Sequence, residues 1–541
     1  MEARRKRLVL ATLCGTMFMA MLDNVIVNNA LPRIGQQLHA GVGGLQWVVE
    51  GYSLVFAALL LTGGTLGDRY GRRRIFLTGL VLFTAGSAGA ALSGSIGALV
   101  AARMLQGLGA ALLTPGSMAM LRHVFTGPRE QARAIGLWSG VSALGLAVGP
   151  VVGGPMVEAF GWASVFWINV PVGVAALALG LRVLPEMATR ARRTDLPGAR
   201  AHTSDAPGAP ARTLDPPRAS ARTLDPPGAR VRALDLPGQV LAALGLGALV
   251  YALVEGPVRG WTDPVVLGWG AFALVTLAAF VLVEHRAADP MLDLRFFRDR
   301  VLTGAVLSGF VVTFGVFGTS FFLPLLLQGV MGWTPSDAGL AGLPMTAMIV
   351  VASPLSGAVA ARLGPRWPVV TGVALCAVAL AGLSLYDEHA RYAQYVWVLC
   401  VLGFGMGLTF APVSIAVLGR VAPSEAGMAS ATVNMLRELG GVVGVAVLGA
   451  VLASRMSAAL AGPLGTLGVP DGERRRIAVT GAGGADLSGP VRAAVDAAFV
   501  DGLHLALRVG ALALLGTAVL AAVLLRPGAV REATREPVPV G

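Results

Sequence analysis

Gly63-Gly64-Thr65-Leu66-Gly67-Asp68-Arg69-Tyr70-Gly71-Arg72-Arg73-Arg74 separates two apolar runs, 45–66 and 75–92. Each is about 20 residues, the length an α-helix needs to cross the hydrocarbon core of a bilayer. The connection between them is therefore very short, and it holds Arg69, Arg72, Arg73 and Arg74. Arginine collects on the cytoplasmic side of short membrane loops, which predicts an inward-facing turn. Gly64, Gly67 and Gly71 let the two helix ends approach closely. Asp68 is placed to accept hydrogen bonds from an arginine or a neighbouring helix end. A plain stop-transfer loop needs only the basic residues, not the spacing Gly-x-x-Gly-Asp-Arg-x-Gly-Arg-Arg.

The rest of the chain has the composition such a hairpin requires. Of 541 residues 55% are hydrophobic and 13% charged, and the mean hydropathy is +0.71. A soluble domain cannot hide that much apolar surface, so the chain reads as an all-α polytopic membrane protein. The net charge of +12 would suit nucleic acid, but the arginines gather at helix ends on one side, which topology explains better. No nucleic-acid partner is expected. Cys14, Cys376 and Cys400 all lie inside apolar runs and read as free thiols. Arg4-Arg5-Lys6-Arg7 precedes an apolar run over 8–31, too long for a signal-peptide core and without a small-x-small cleavage site. It reads as an uncleaved first helix with its N-terminus inside.

Apolar spans fall near 8–31, 45–66, 75–93, 97–121, 133–157 and 164–184, a six-helix bundle within 1–184. Residues 185–235 break the pattern: Asp195, Asp205, Asp215, Asp225 and Asp235 recur at ten-residue intervals, each followed within two residues by proline. This tract has too few apolar residues to build a core and reads as a disordered cytoplasmic linker. It is either a slippage expansion without function or a docking segment. Spans at 238–255 and 264–283, with a basic return loop, form an inserted pair within 236–300. Six more, near 301–327, 337–361, 367–386, 393–419, 429–454 and 500–525, make a second bundle in 301–541, with 455–499 as a long outer loop. The prediction is fourteen helices in a 6 + 2 + 6 order, both termini inside.

The two bundles are internally related. Gly357 to Arg366 repeats the spacing of Gly64 to Arg73, with Ala361 where Asp68 stands, and Pro128-Arg-Glu130 is echoed by Pro423-Ser-Glu425. Carriers that work by alternating access are built from such repeats, with the substrate site between the halves.

Three charged residues lie inside apolar spans. Asp23 is about 15 residues from the inner end of the first span, about 22 Å up at 1.5 Å per residue. Glu50 in the second span and Arg103 in the fourth each lie one to two turns from the outer end. Ionisable groups at such depth are functional candidates by default. Two acids and one arginine at similar depth can form a proton-handling cluster. The alternative is structural: Asp23 bonded to Asn24, Asn28 or a neighbouring helix, and Arg103 tethering helix-end carbonyls. In the fifth span Gly145, Gly149 and Gly153 recur every four residues beside Pro150 and Gly154, forming one smooth face. Close packing of that face on the opposite half would close the inner half of a pathway. Arg437-Glu438 reads as a self-neutralised pair near the membrane surface.

The 63–74 turn resembles the signature loop of the major facilitator superfamily. Gly149-Pro150-Val-Val-Gly153-Gly154 resembles the antiporter motif of its efflux branch, and Arg103-Met-Leu-Gln106-Gly107-Leu-Gly109 its proton-coupling motif. Leu22–Pro32, Phe166-Trp-Ile-Asn169-Val-Pro171 and Arg437-Glu438-Leu-Gly-Gly are similar to sequences of the fourteen-helix drug:proton antiporters. The resemblance covers all but 185–235. It implies a major facilitator fold of two six-helix bundles plus two inserted helices, acting as a monomer in a bacterial inner membrane. It further implies proton-coupled export of small amphipathic, often cationic, drugs or secondary metabolites, with Asp23, Glu50 and Arg103 in coupling and Gly64, Gly67, Asp68, Arg69, Gly71, Arg72 and Arg73 in gating. Glu50, often uncharged in that family, would mark a tolerance for cations. The alternative reading is a proton-coupled uptake carrier for one small solute. No nucleotide-binding Gly-x-x-x-x-Gly-Lys-Ser/Thr loop, enzyme signature or metal-ligand cluster is present in the sequence. The proton gradient is the expected energy source, and no cofactor or metal is expected.

Overall fold

The computed structural model describes residues 2–186, 235–287, 292, 294–387, 390–421, 426–470, 477, 487 and 489–526. The tandem aspartate–proline tract therefore lies almost entirely outside the described residues. Among those described there are 14 helices long and apolar enough to span a membrane, and no strand. In chain order they are α1 Arg4–Gln37, α2 Val42–Tyr70, α3 Arg72–Ala91, α4 Ile96–Val124, α5 Arg129–Phe160, α6 Ser164–Val183 and α7 Leu236–Arg259. There follow α8 Pro264–Arg286, α9 Arg300–Val330, α10 Pro335–Leu363, α11 Arg366–Leu383, α12 Tyr392–Leu418, α13 Ala429–Thr466 and α14 Gly489–Leu524.

The helix ends follow local chemistry. Side chains of Ser95, Asp235, Asp263, Asp299 and Thr334 accept backbone N–H bonds at the first turns of α4, α7, α8, α9 and α10, satisfying donors that have no intrahelical partner. Glycines with positive φ end four spans: Gly71 after α2, Gly161 after α5, Gly260 after α7 and Gly364 after α10. The spans overrun the sequence-based limits most at α13 and α14. Residues 455–466 and 489–499, expected in an outer loop, continue these helices.

The first six helices pack as one bundle and the last six as another. Glycine permits the closest approaches. A side chain at Gly63 of α2 would strike the Ala111 carbonyl of α4, and one at Gly107 of α4 would strike the Tyr52 carbonyl of α2. In the turn itself Gly64 and Gly67 make only ordinary contacts, with Pro115 and Arg72, so Gly63 is the close-approach position there.

The bundles meet along two seams. On one, α2 lies against α13, where Gln46 Nε2 donates to the Val445 carbonyl at 2.9 Å. On the other, the Phe160 end of α5 lies against the first turns of α10. Toward the arginine-rich end, Gly136 and Gly140 of α5 and Gly357 of α10 look onto open space. Along the α5–α10 seam the halves are thus joined at the end far from Arg72–Arg74 and part toward it. The inserted helix α7 packs on α2 and α13 together, and α8 packs on α7 with Leu267, Leu274 and Val275 exposed.

Candidate functional site

Asp23 and Arg103 are completely buried in the first bundle and form an ion pair of 2.5 Å between Nη1 and Oδ2. The other carboxylate oxygen of Asp23 accepts from Gln106 Nε2 at 3.1 Å and from Asn169 Nδ2 at 2.7 Å. Arg103 donates through Nε to the Val48 carbonyl at 3.1 Å and through Nη1 to Gln106 Oε1 at 3.0 Å. Its guanidinium lies 4.4 Å from the Tyr52 ring centroid, a cation–π contact that stabilises charge away from water. Asn169 also donates to Ser87 Oγ at 3.1 Å, and Ser87 to the Phe166 carbonyl at 2.9 Å. The network ties α1, α2, α3, α4 and α6 together. Burying an unpaired charge at this depth would be costly, and mutual pairing offsets it, although Arg103 Nη2 and Asn169 Oδ1 have no hydrogen-bond partner among the described residues.

Glu50 does not join this network. It is 1% exposed, and neither carboxylate oxygen has a hydrogen-bond partner among the described residues. It lines a narrow crevice between the bundles with Val49 and Ser53 of α2, Phe317 of α9, and Glu438, Gly441, Val442 and Val445 of α13. Positions 48 and 50 are two residues apart, about 200° around a helix at 3.6 residues per turn. The Val48 carbonyl therefore meets Arg103 while the Glu50 side chain turns to the other bundle. Glu438 is thus part of the seam rather than of a surface pair. Arg437 Nη2 lies 3.9 Å from its Oε1, and the Arg437 guanidinium stands 5.1 Å from the Phe410 ring centroid.

The glycine face of α5 packs on its own bundle. Side chains at Gly145, Gly149 and Gly153 would collide with Phe18, Val25 and Ile26 of α1. Gly154 turns to the other half, where a side chain would strike the backbone of Pro335 and Ser336. Reciprocally, a side chain at Gly339 of α10 would strike the Pro150 carbonyl. Asn29 Nδ2 donates to that same carbonyl at 2.7 Å, and the Asn29 carbonyl accepts from Gln328 of α9 at 3.1 Å. This contact lies at the Phe160 end of α5. Pro150 and Gly154 therefore meet the other bundle at the end opposite the arginine-rich turn, not at the inner half expected from the sequence. The reason is placement along the helix: the motif sits in the last third of α5.

At the arginine-rich turn Asp68 bonds Arg72 across Gly71, with Oδ1 accepting from Nε at 2.7 Å and lying 2.6 Å from Nη2. Arg73 donates to the Leu181 carbonyl at 2.6 Å and to Glu186 at 3.3 Å, fastening α3 to the end of α6. Arg69 stacks on its neighbour Tyr70, 5.5 Å from the ring centroid. The turn touches its own bundle.

Gln106 and Asn169 stood in the sequence only as motif members, with no partner assigned, and Ser87 behind Asn169 and Gln328 and Gln46 across the seams were not singled out. Each is a polar residue inside an apolar run, and each finds a partner there or across the seam.

Two related six-helix bundles, joined at one end and parting toward the other, with buried ionisable groups between helices, define a multi-pass membrane transporter. Residues 13–445 match the family profile of the Major Facilitator Superfamily. The chain belongs to that superfamily. It is 37% identical over 478 residues to "Multidrug resistance protein Stp" of Mycobacterium tuberculosis, covering 87% of this chain and 81% of the relative. It is 35% identical over 530 residues to the "Tetracenomycin C resistance and export protein" of Streptomyces glaucescens, covering 94% and 90%. Among solved structures it resembles a bacterial homologue of the human lysosomal transporter Spinster, with a TM-score of 0.62 and 16% identity over 96% of both chains.

Proposed function

We propose that this chain is a proton-coupled antiporter that exports amphipathic drugs, antibiotics or secondary metabolites across a bacterial inner membrane by alternating access. Residues 1–184 and 301–541 act as the two moving bundles, 236–300 as an insertion between them, and the single chain as the unit of transport. With the arginine-rich turn in the cytoplasm, both termini lie inside and the described arrangement is open inward. The observation that carries the reading is Glu50. It is a buried carboxylate without a hydrogen-bond partner, at the seam between the two bundles, on a chain whose relatives are named for drug resistance and export.

Asp23 and Glu50 then divide the work. Asp23 already accepts three side-chain donors, so protonating it means giving up at least one, including the Arg103 contact that holds α1 to α4. It acts by tightening or loosening the first bundle. Glu50 has nothing to give up and faces the seam, where a proton or the cationic group of a substrate neutralises it. Exchange of one for the other is the coupling step. The test is flux in inverted membrane vesicles with an imposed pH gradient. Uphill uptake of a cationic dye into inverted vesicles, collapsing when the gradient is dissipated, is the expected result. Movement in the opposite direction would replace the export reading with a proton-coupled uptake carrier.

A further inference from the structure

The inserted pair has no counterpart in either six-helix bundle, and its position is specific. One face of α7 lies in the angle between α2 and α13. Val250 and Val254 form a buried cluster with Leu54 of α2 and with Val442 and Ala446 of α13. Gln239 Nε2 donates to the Ala58 carbonyl of α2, and Trp261, just beyond α7, donates to Ser454 Oγ of α13 at 3.1 Å. Tyr251 stands 6.4 Å from Trp47 of α2, centroid to centroid. The insertion is therefore fastened to both halves of the transporter, to α2 along its length and to α13 through the valine cluster and Trp261.

Val442 belongs both to this cluster and to the crevice that holds Glu50. Leu54 stands one helical turn from Glu50 on α2, and Ala446 one turn from Val442 on α13. Removing α7 would put the crevice mouth against lipid tails. A carboxylate that exchanges a proton or cation with an aqueous pathway cannot also face hydrocarbon without a large energetic cost, nor without access for lipid-borne solutes. The α5–α10 seam on the other side carries no insertion of this kind, and its buried partners are glycines and backbone rather than a free acid.

We propose that α7 is a lateral seal: it walls the Glu50 crevice off from the bilayer, so that this carboxylate communicates only with the pathway between the bundles. The remaining helix, α8, braces α7 from the lipid side. Beyond its end the chain returns to the second bundle under the Glu284 carboxylate, which accepts from the Leu292 N–H at 3.1 Å. The assignment concerns shielding, and its readout does not depend on the direction of transport or on transport occurring at all.

Carbodiimides report shielding directly. The carboxyl proton passes to a carbodiimide nitrogen and the carboxylate oxygen bonds the central carbon, so the adduct carries the full reagent mass and nothing leaves. Dicyclohexylcarbodiimide reaches carboxyls from lipid, whereas a water-soluble carbodiimide reaches them from the aqueous pathway. In proteoliposomes, labelling at residue 50 is followed by peptide mass. Val250→Ala/Val254→Ala loosens the seat of α7 and should raise the dicyclohexylcarbodiimide rate by about tenfold, as two buried truncations shift local opening. The rate with the soluble reagent should stay unchanged, and Glu50→Gln should remove the adduct. An unchanged lipid-side rate, or an equal rise with both reagents, would overturn the proposal. A second variant guards against general loosening. With Cys14, Cys376 and Cys400 replaced, Gly43→Cys/Val254→Cys should form a disulfide, because a side chain on Gly43 meets Val254 Cγ1 at 3.2 Å. Labelling in that locked protein should be no faster than in the parent. Failure of the bond to form, or fast labelling once it has formed, would also sink the idea.

Discussion

Gly71 and Gly364 stand at equivalent points of the two bundles and hold the same left-handed backbone, with φ of +104° and +79°. Each follows an arginine-bearing helix end, of α2 or of α10, and turns the chain at once into the next span. The repeat seen in the residue spacing is thus also a repeat of backbone conformation. It departs at one place, because Asp68 has Ala361 as its counterpart.

The two turns should respond alike to a side chain. Gly71→Ala and Gly364→Ala each force an L-residue into a region costing about 1–3 kcal/mol. Both variants should unfold at lower temperature in a detergent melt, by similar amounts. A shift at one site alone would mean that the turns are not equivalent.

Asp68 offers a sharper contrast. Its exposed pair with Arg72 contributes only about 0.3–0.5 kcal/mol as an i,i+4 contact. Asp68→Asn should therefore leave the melting temperature nearly unchanged. If the turn must find new partners in each cycle, efflux should nevertheless fall strongly at matched membrane expression. Near-normal efflux would remove Asp68 from the gating machinery.

Closure at the far end should be sensitive to one added side chain. Gly154→Val places carbon atoms where the Pro335 and Ser336 backbone lies. Glu158 accepts from the Ser336 N–H at 3.3 Å, so Glu158→Cys/Ser336→Cys reports that the two helices are together. Adding Gly154→Val should sharply lower the yield of this cross-link and halt transport while the protein still inserts. A full cross-link yield would show that the helices close without this contact.

The Asp23–Arg103 pair can be separated into structural and coupling roles. Removing one member of a buried pair costs about 3–5 kcal/mol, because the other charge is left alone. Arg103→Ala should therefore lower the melting temperature clearly and abolish gradient-driven efflux. Arg103→Lys should restore much of the stability but not the transport, since an ammonium cannot serve Val48, Gln106 and Asp23 together in the geometry of a guanidinium fork. Asp23→Asn tests the knot from the other side. Stable protein with full gradient-driven efflux would relieve Asp23 of any part in coupling and leave the acids of the seam, Glu50 and Glu438.

Depth in the membrane was legible from the sequence, whereas direction around a helix was not. Counting from the span ends put Asp23, Glu50 and Arg103 at comparable levels, and two of the three do meet. Glu50 turns away because its neighbour at 48, not its own side chain, is on the Arg103 side of α2. The same limit applies to α5. The four-residue glycine stripe was plain, but periodicity does not say that Gly145, Gly149 and Gly153 face α1 while Gly154, one position on, faces α10. The spans at the chain's end were read short for another reason. Apolar length marks the bilayer, and α13 and α14 continue as helices beyond what a bilayer requires. The contacts of Gln106, Asn169 and Asn29 were not legible, because an amide in an apolar run signals only that a partner exists, not which one.

The closed end is made largely through backbone: glycines and a proline pack there, and the Asn29, Gln328 and Gln46 amides all bond carbonyls. Its fit is indifferent to what is being carried. Selection for a new compound can rewrite residues that line the crevice, such as Phe317, without touching the parts that join the far end. A transporter built this way can broaden its chemical repertoire and keep the same latch.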